Sequence, residues 1–176
     1  MDLTVKTVTP LLHEYGEVRR LLKTAFPKNE QIPLVMLQLL ALGRNVHFRA
    51  FYDEDLFCGL LYTMENEKYV FVLYLAVNDR IRSKGYGSRI LQWLQGHTSK
   101  VLVLNVEALR EGAPNAEQRE RRIAFYSKNG ILNTGCTFED AGETYAVLSS
   151  NPERFRKEEY ERLLRQFGYK REICGE

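Results

Sequence analysis

The residues best placed to do chemistry lie in two stretches, Tyr69 to Gln95 and Asn115 to Gly130. In the first, the apolar run YVFVLYLAV is followed by NDRI, RSKGYG and SRILQWLQ. Arg82, Gly85 and Gly87 fall in the turn between that run and a segment whose Ile90, Leu91 and Leu94 recur at helical spacing. A glycine-lined turn that opens a helix is an anion site, because unpaired amides and the positive end of the helix dipole converge on one point. The backbone from Lys84 through Gly85, Tyr86 and Gly87 to Ser88 supplies the candidate donors, and the expected ligand carries phosphate. The second stretch contains Tyr126, and the carboxylates of Glu107 and Glu30 stand outside both stretches.

Two common phosphate loops do not fit. A Walker A loop ends in Gly-Lys-Ser/Thr, which is missing here, and a dinucleotide fingerprint needs a third glycine where Ile90 stands. The pattern that does fit is R-x-x-G-x-G, Arg82 to Gly87, after a strand end of Leu75, Ala76 and Val77. It resembles the pyrophosphate loop of the GCN5-related N-acetyltransferases (GNAT), which bind acetyl-CoA. A second motif points the same way. In NAEQRERRIAFYSKNG, Pro114 stops the preceding segment, and Asn115 with Gln118 three later reads as a capping box. Ile123, Ala124 and Tyr126 then share a helix face that closes at Asn129-Gly130. The corresponding helix of the family carries an Asn near its start and a Tyr near its end. The resemblance therefore implies that Asn115 contacts the pantetheine arm and that Tyr126 protonates the departing CoA thiolate. It further implies cofactor contacts at Leu75, Val77, Arg82, Lys84, Gly85, Tyr86, Gly87 and Ser88. A backbone N–H near Leu75 would polarise the acetyl carbonyl, an effect typically worth roughly 3 to 4 kcal/mol of barrier.

Within that superfamily the chain looks most like small bacterial members that read A-F-P-x-x-E early and R-x-R-R-I-x-F-Y-x-x-N-G late, here Ala25 to Glu30 and Arg119 to Gly130. Asp79 stands where many members have Pro, Ser83 where many have Gly, and Ile131 where an aromatic is common. The base that frees the attacking amine is expected at Glu107, the end of the fifth strand, where that strand splays from the Leu75 strand. Glu30 is expected to hold the substrate, and two carboxylates with no basic residue nearby would favour a cationic amine. His13, His47 and His97 read as solvated or structural, and Cys58 as a small core residue, so direct transfer in a ternary complex is expected and no metal is implied.

The elements that must position these groups follow from periodicity. Leu3, Val5 and Val8 suggest an opening strand, and Leu11, Tyr15, Val18, Leu22 and Phe26 a first helix. Residues 34–42 read as a second, largely buried helix closed by Gly43. Strands follow at 46–52, 56–64 and 69–77, the last apolar on both faces; then come the phosphate turn and its helix, a strand at 101–107, the Tyr126 helix, and strands at 132–138 and 144–149. The expected fold is α/β, a mixed, mostly antiparallel central sheet flanked by helices, as in acyl-CoA N-acyltransferases. Residues 1–150 are expected to form the acetyltransferase domain. Residues 151–176 are expected to add an amphipathic helix, with Phe155, Tyr160, Leu163, Leu164 and Phe167 on the face that packs on the domain or at an interface.

Composition narrows the class. The 176 residues are 44% hydrophobic and 27% charged with a net charge of +2, values of an ordinary globular domain too weakly basic to demand nucleic acid. The basic run Arg119 to Arg122, interleaved with Glu117 and Glu120, reads as a solvated helix face. No run is long enough to span a bilayer, the start MDLTVKTVT lacks a secretory pattern, and three scattered cysteines suit a reducing cytoplasm. The expected partner is a small-molecule or peptide amine, with the chain a monomer or homodimer. Two competing classes are a CoA-binding module without turnover and an interaction protein using the Leu163-Leu164 face.

Overall fold

The computed structural model describes residues 3–81 and 84–175. Seven strands run through one sheet in the order β1-β2-β3-β4-β5-β7-β6 among the described residues. Its antiparallel pairs include β1–β2, β2–β3, β5–β7 and β6–β7, whereas β4 and β5 pair in parallel. The chain divides into two compact units, one of residues up to 64 with 72–98, the other of 65–71 with everything from 99 onward.

The first unit holds β1 (Thr4–Thr7), α1 (Tyr15–Ala25), α2 (Leu34–Leu40), β2 (Val46–Asp53), all but the last residue of β3 (Leu56–Glu65), most of β4 (Tyr69–Val77), and α3 (Tyr86–Gly96). Phe48, Ala50, Phe51, Leu60, Leu61 and Tyr62 from the hairpin are buried, as are Val18 and Leu21 of α1 and Ile90 and Leu91 of α3. Burial along β4 is complete only through Val72; beyond it Tyr74 and Ala76 are buried, while Leu73, Leu75 and Val77 are half-exposed. The continuous apolar run thus conceals a change from a two-sided to a one-sided strand.

Two helix expectations need correction. α1 begins at Tyr15, four residues later than Leu11, which is 94% exposed. The chain after Pro10 makes successive tight turns, Leu12 N–H to Thr9 and Tyr15 N–H to Leu12, before the helix can propagate. α2 is not largely buried: of its residues only Leu37 is, while Val35, Met36 and Leu39, and Leu42 just beyond, are exposed. Seven residues make two turns, and one apolar anchor is all that such a helix presents to the sheet.

The second unit holds the start of β4 paired in parallel with β5 (Val101–Glu107) through Tyr69–Val101, Val70–Leu102 and Phe71–Val103. Next come α4 (Ala116–Lys128), the hairpin of β6 (Leu132–Asp140) and β7 (Glu143–Ser149), and α5 (Lys157–Gln166). The hairpin turns at Ala141 and Gly142, both at positive φ, as a tight two-residue connection requires. α5 buries Tyr160, Leu163 and Leu164, and the Tyr160 hydroxyl donates to Asn105 Oδ1 of β5 at 2.9 Å. No helix among the described residues is long and apolar enough to cross a membrane.

Candidate functional site

In the first unit, β4 delivers the chain to α3 through a turn anchored by Asn78. Its side chain is buried, its amide donates to Phe57 O at 2.9 Å, and its backbone N–H donates to Cys58 O at 2.8 Å. A single 3-10 turn, Asp79–Ile81, follows, and both Asp79 oxygens accept from Arg20 of α1, at 2.9 and 3.2 Å. Arg82 and Ser83 lie outside the described residues. Gly85 then caps α3 at φ +77, a left-handed conformation that an L side chain adopts only under strain. The first helical bond runs from Arg89 N–H to Gly85 O, so the amides of Tyr86, Gly87 and Ser88 sit in the turn whose donors have no helical acceptor among the described residues. The Tyr86 side chain points away from solvent and donates to Asp53 Oδ2 at 2.9 Å, where Arg89 also binds at 2.8 Å. Arg89, and to a lesser extent Tyr86, hold the Asp53 carboxyl below its ordinary range. That arrangement clamps α3 to the β2–β3 hairpin.

Gly59 of β3 makes this packing possible. A Cβ there would lie 2.3 Å from Ala76 O and 3.2 Å from Val77 Cα, so β3 and the end of β4 approach more closely than any side chain allows. Neither Gly59 nor Asn78 stands out in the sequence, because each serves a backbone contact far along the chain.

In the second unit, Arg119 of α4 organises a buried polar cluster. Its five N–H groups are all satisfied: Nε donates to Asn115 Oδ1 (2.8 Å), one terminal nitrogen to Ala108 O and Glu143 Oε1 (both 2.9 Å), the other to Glu143 Oε2 (2.9 Å) and Glu107 Oε1 (3.3 Å). Asn115 Nδ2 donates to both oxygens of Glu107, at 3.1 and 3.3 Å. The Arg119 bonds pull the Glu143 carboxyl below its ordinary range. Two expectations fall here. Arg119 is buried rather than part of a solvated face, because a guanidinium with five partners can leave water. Asn115 makes no side-chain cap to α4; its amide is spent on Glu107 and Arg119 instead. The buried face of α4 accordingly comprises Arg119 and Tyr126, and Ala124 is exposed. Tyr126 is 9% exposed, its ring edge-on to Phe125, and its hydroxyl has no hydrogen-bond partner among the described residues. Burial pushes its pKa up to about 12, a shift that the nearby Arg122 opposes.

No protein-family model matches the chain, and a search of curated proteins finds no match. Solved structures do match. A protein from Bacteroides thetaiotaomicron assigned to the GNAT acetyltransferases superposes with a TM-score of 0.72 at 23% identity, covering 93% of this chain and 95% of that one. An aminoglycoside 6'-N-acetyltransferase complexed with coenzyme A gives 0.62 at 14% identity, covering 83% and 95%. A GNAT family acetyltransferase from Elizabethkingia anophelis with acetyl-CoA bound gives 0.58 at 14%, covering 84% and 97%. The fold is that of the GNAT acetyltransferases.

Within the GNAT fold, Lys84, Gly85, Tyr86, Gly87 and Ser88 lie together at the mouth of α3, after Leu75 and Val77 on the half-exposed face of β4. Glu107 and Asn115 touch each other, and Tyr126 lies on the same helix as their partner Arg119. Glu30 sits in a single 3-10 turn, Lys28–Glu30, and its backbone carbonyl accepts from the Tyr74 hydroxyl. The expectation of no basic residue nearby is wrong for the Glu30 loop. The cavity beside it is lined by Arg19 and Lys23 of α1 and by Lys28 of the turn itself.

Proposed function

We propose that the chain is a GNAT-superfamily N-acetyltransferase that moves an acetyl group from acetyl-CoA to a primary amine by direct transfer. The observation that carries this reading is the left-handed Gly85 cap, with its donor-rich turn at the mouth of α3, in a GNAT fold. The groups present suit the cosubstrate. Backbone amides from Lys84 to Ser88 would hold the pyrophosphate, assisted by the helix dipole and by Arg82. Acetyl-CoA brings an activated thioester; the protein's part is to bind, orient and move protons.

The Leu75 N–H would donate to the thioester carbonyl oxygen and Val77 would continue that contact, while Asn115 would meet the pantetheine amides. Glu107, directly or through water, would take the proton lost as the amine nitrogen bonds to the acetyl carbon. As the C–S bond breaks, the Tyr126 hydroxyl would give its proton to sulfur, so that amide and free thiol leave. Burial favours the neutral hydroxyl, and a hydroxyl without a protein partner is open to a ligand's sulfur. Glu30 would contact the acceptor. Because both Glu107 oxygens already accept from Asn115, Glu107 would also position the asparagine.

The experiment is thiol release from acetyl-CoA across a panel of amines, with Tyr126→Phe as comparison. Turnover by the parent, about a hundredfold lower kcat in the variant and an unchanged affinity for acetyl-CoA are expected. Equal turnover by both proteins would assign proton delivery to another group.

A further inference from the structure

The first unit contains a cavity of about 710 Å³ between α1 and the 28–35 segment, a volume typical of small-molecule sites. Its walls are apolar, formed by Leu22, Ile32, Leu34 and Val35 with the rings of Tyr15 and Tyr74. Arg19, Lys23 and Lys28 stand around them, and no carboxylate lines the cavity. All three cations are exposed and lack an ion-pair partner among the described residues. The contrast with the next residue is sharp: Arg20 is paired with both Glu17 and Asp79.

Ordinary helix chemistry does not account for the three. Lys23 lies in the last turn of α1, where a cation suits the helix dipole. Arg19 lies a turn earlier, making a like-charge i,i+4 pair with Lys23 that weakens the helix. Lys28 lies beyond the helix altogether. The frame carrying them is fixed. Gln31 Nε2 donates to Lys23 O at 3.0 Å and Phe26 O at 2.7 Å, and Ile32 N–H donates to the Tyr74 hydroxyl at 3.0 Å. A preorganised apolar pocket with uncompensated positive charge at its edge favours an anion on a hydrophobic body and disfavours a polycation.

We propose that this cavity receives the acceptor, taking the acetyltransferase reading as given, and that the acceptor is an amine carrying a carboxylate on an apolar body, an amino-acid-like molecule. Its carboxylate meets Arg19, Lys23 and Lys28 while its side chain fills the space between Leu22, Ile32 and Val35.

Calorimetry with coenzyme A present, so that no turnover occurs, tests this. Leucine, methionine, phenylalanine and tryptophan are compared with the four amines that lack their carboxylate, and with spermidine. At least one acid is expected to bind ten times or more tighter than its decarboxylated partner. Arg19→Gln/Lys23→Gln/Lys28→Gln should erase that preference, and Lys28→Gln alone should reduce it. These side chains are exposed, so an unchanged melting temperature confirms that the variants fold. Absence of binding by all four acids, equal or tighter binding by the amines or spermidine, or a preference that survives in the triple variant overturns the inference. Coenzyme A measured alone separates the two claims. A chain that ignores coenzyme A yet prefers the acids contradicts the acetyltransferase reading and keeps the anion site; one that binds coenzyme A without acid preference overturns the anion site alone.

Discussion

Tyr126 and Arg119 share one helix face and illustrate opposite ways for a polar group to be buried. Arg119 brings five partners; Tyr126 brings none among the described residues and pays by holding its proton more tightly. With a pKa near 12, the Tyr126 hydroxyl stays protonated through the working range, so a pH–rate profile should show no basic limb from it below about pH 11. A limb near pH 9 that vanishes in Tyr126→Phe would contradict this. Arg119→Met should lower the melting temperature by about 5 °C or more, because two carboxylates lose their shared cation. The pH dependence has a definite sign. Glu143, like Asp53, titrates lower when folded than when unfolded, so its contribution is full above the unfolded carboxylate range, roughly pH 4 to 4.5, and disappears as pH falls through the folded value. As pH falls from 7 to 3, melting temperatures should therefore drop less steeply in Arg119→Met than in the parent. Parallel curves would show that the pair contributes nothing to acid stability.

At the level of elements, the turn between β4 and α3 depends on two glycines for different reasons. Gly85 has open space around it and a left-handed backbone, so Gly85→Ala should cost about 1 kcal/mol through backbone strain alone. Gly59 has an ordinary backbone but no room, and Gly59→Ala should cost about 1–3 kcal/mol through overpacking against Ala76 and Val77. Chemical denaturation distinguishes them from neutral surface changes; a Gly59→Ala protein as stable as the parent would mean that β4 relaxes freely. The turn between β4 and α3 was legible in the sequence because a glycine-rich turn opening a helix is local chemistry. The hairpins and the α5 face at Tyr160, Leu163 and Leu164 were legible for the same reason. What periodicity misread was set by distant contacts. The Arg119 run carries the signature of a solvated helix, and only the arrival of Glu143 from another strand makes burial possible. α2 has the composition of a core helix, yet the sheet reaches one of its residues. Leu11 has helical spacing but follows Pro10 into tight turns.

For the whole molecule, the fold is what the chain has in common with solved acetyltransferase structures at 11 to 23% identity. A fold preserved at such identity rests on pattern rather than on particular side chains, and function has to be argued from the site. The central claim is that the turn at the mouth of α3 holds acetyl-CoA. Thermal melts with acetyl-CoA, ATP and NAD, on the parent and on Gly87→Asp, test it most directly. A carboxylate near the start of α3 suits the helix dipole but would occupy the place proposed for the phosphate. Acetyl-CoA at a hundred times its Kd should stabilise the parent by about 2.7 kcal/mol, ATP and NAD should do much less, and a folded Gly87→Asp should lose the acetyl-CoA effect. Equal stabilisation by ATP, or an undiminished acetyl-CoA shift in Gly87→Asp, would contradict the account.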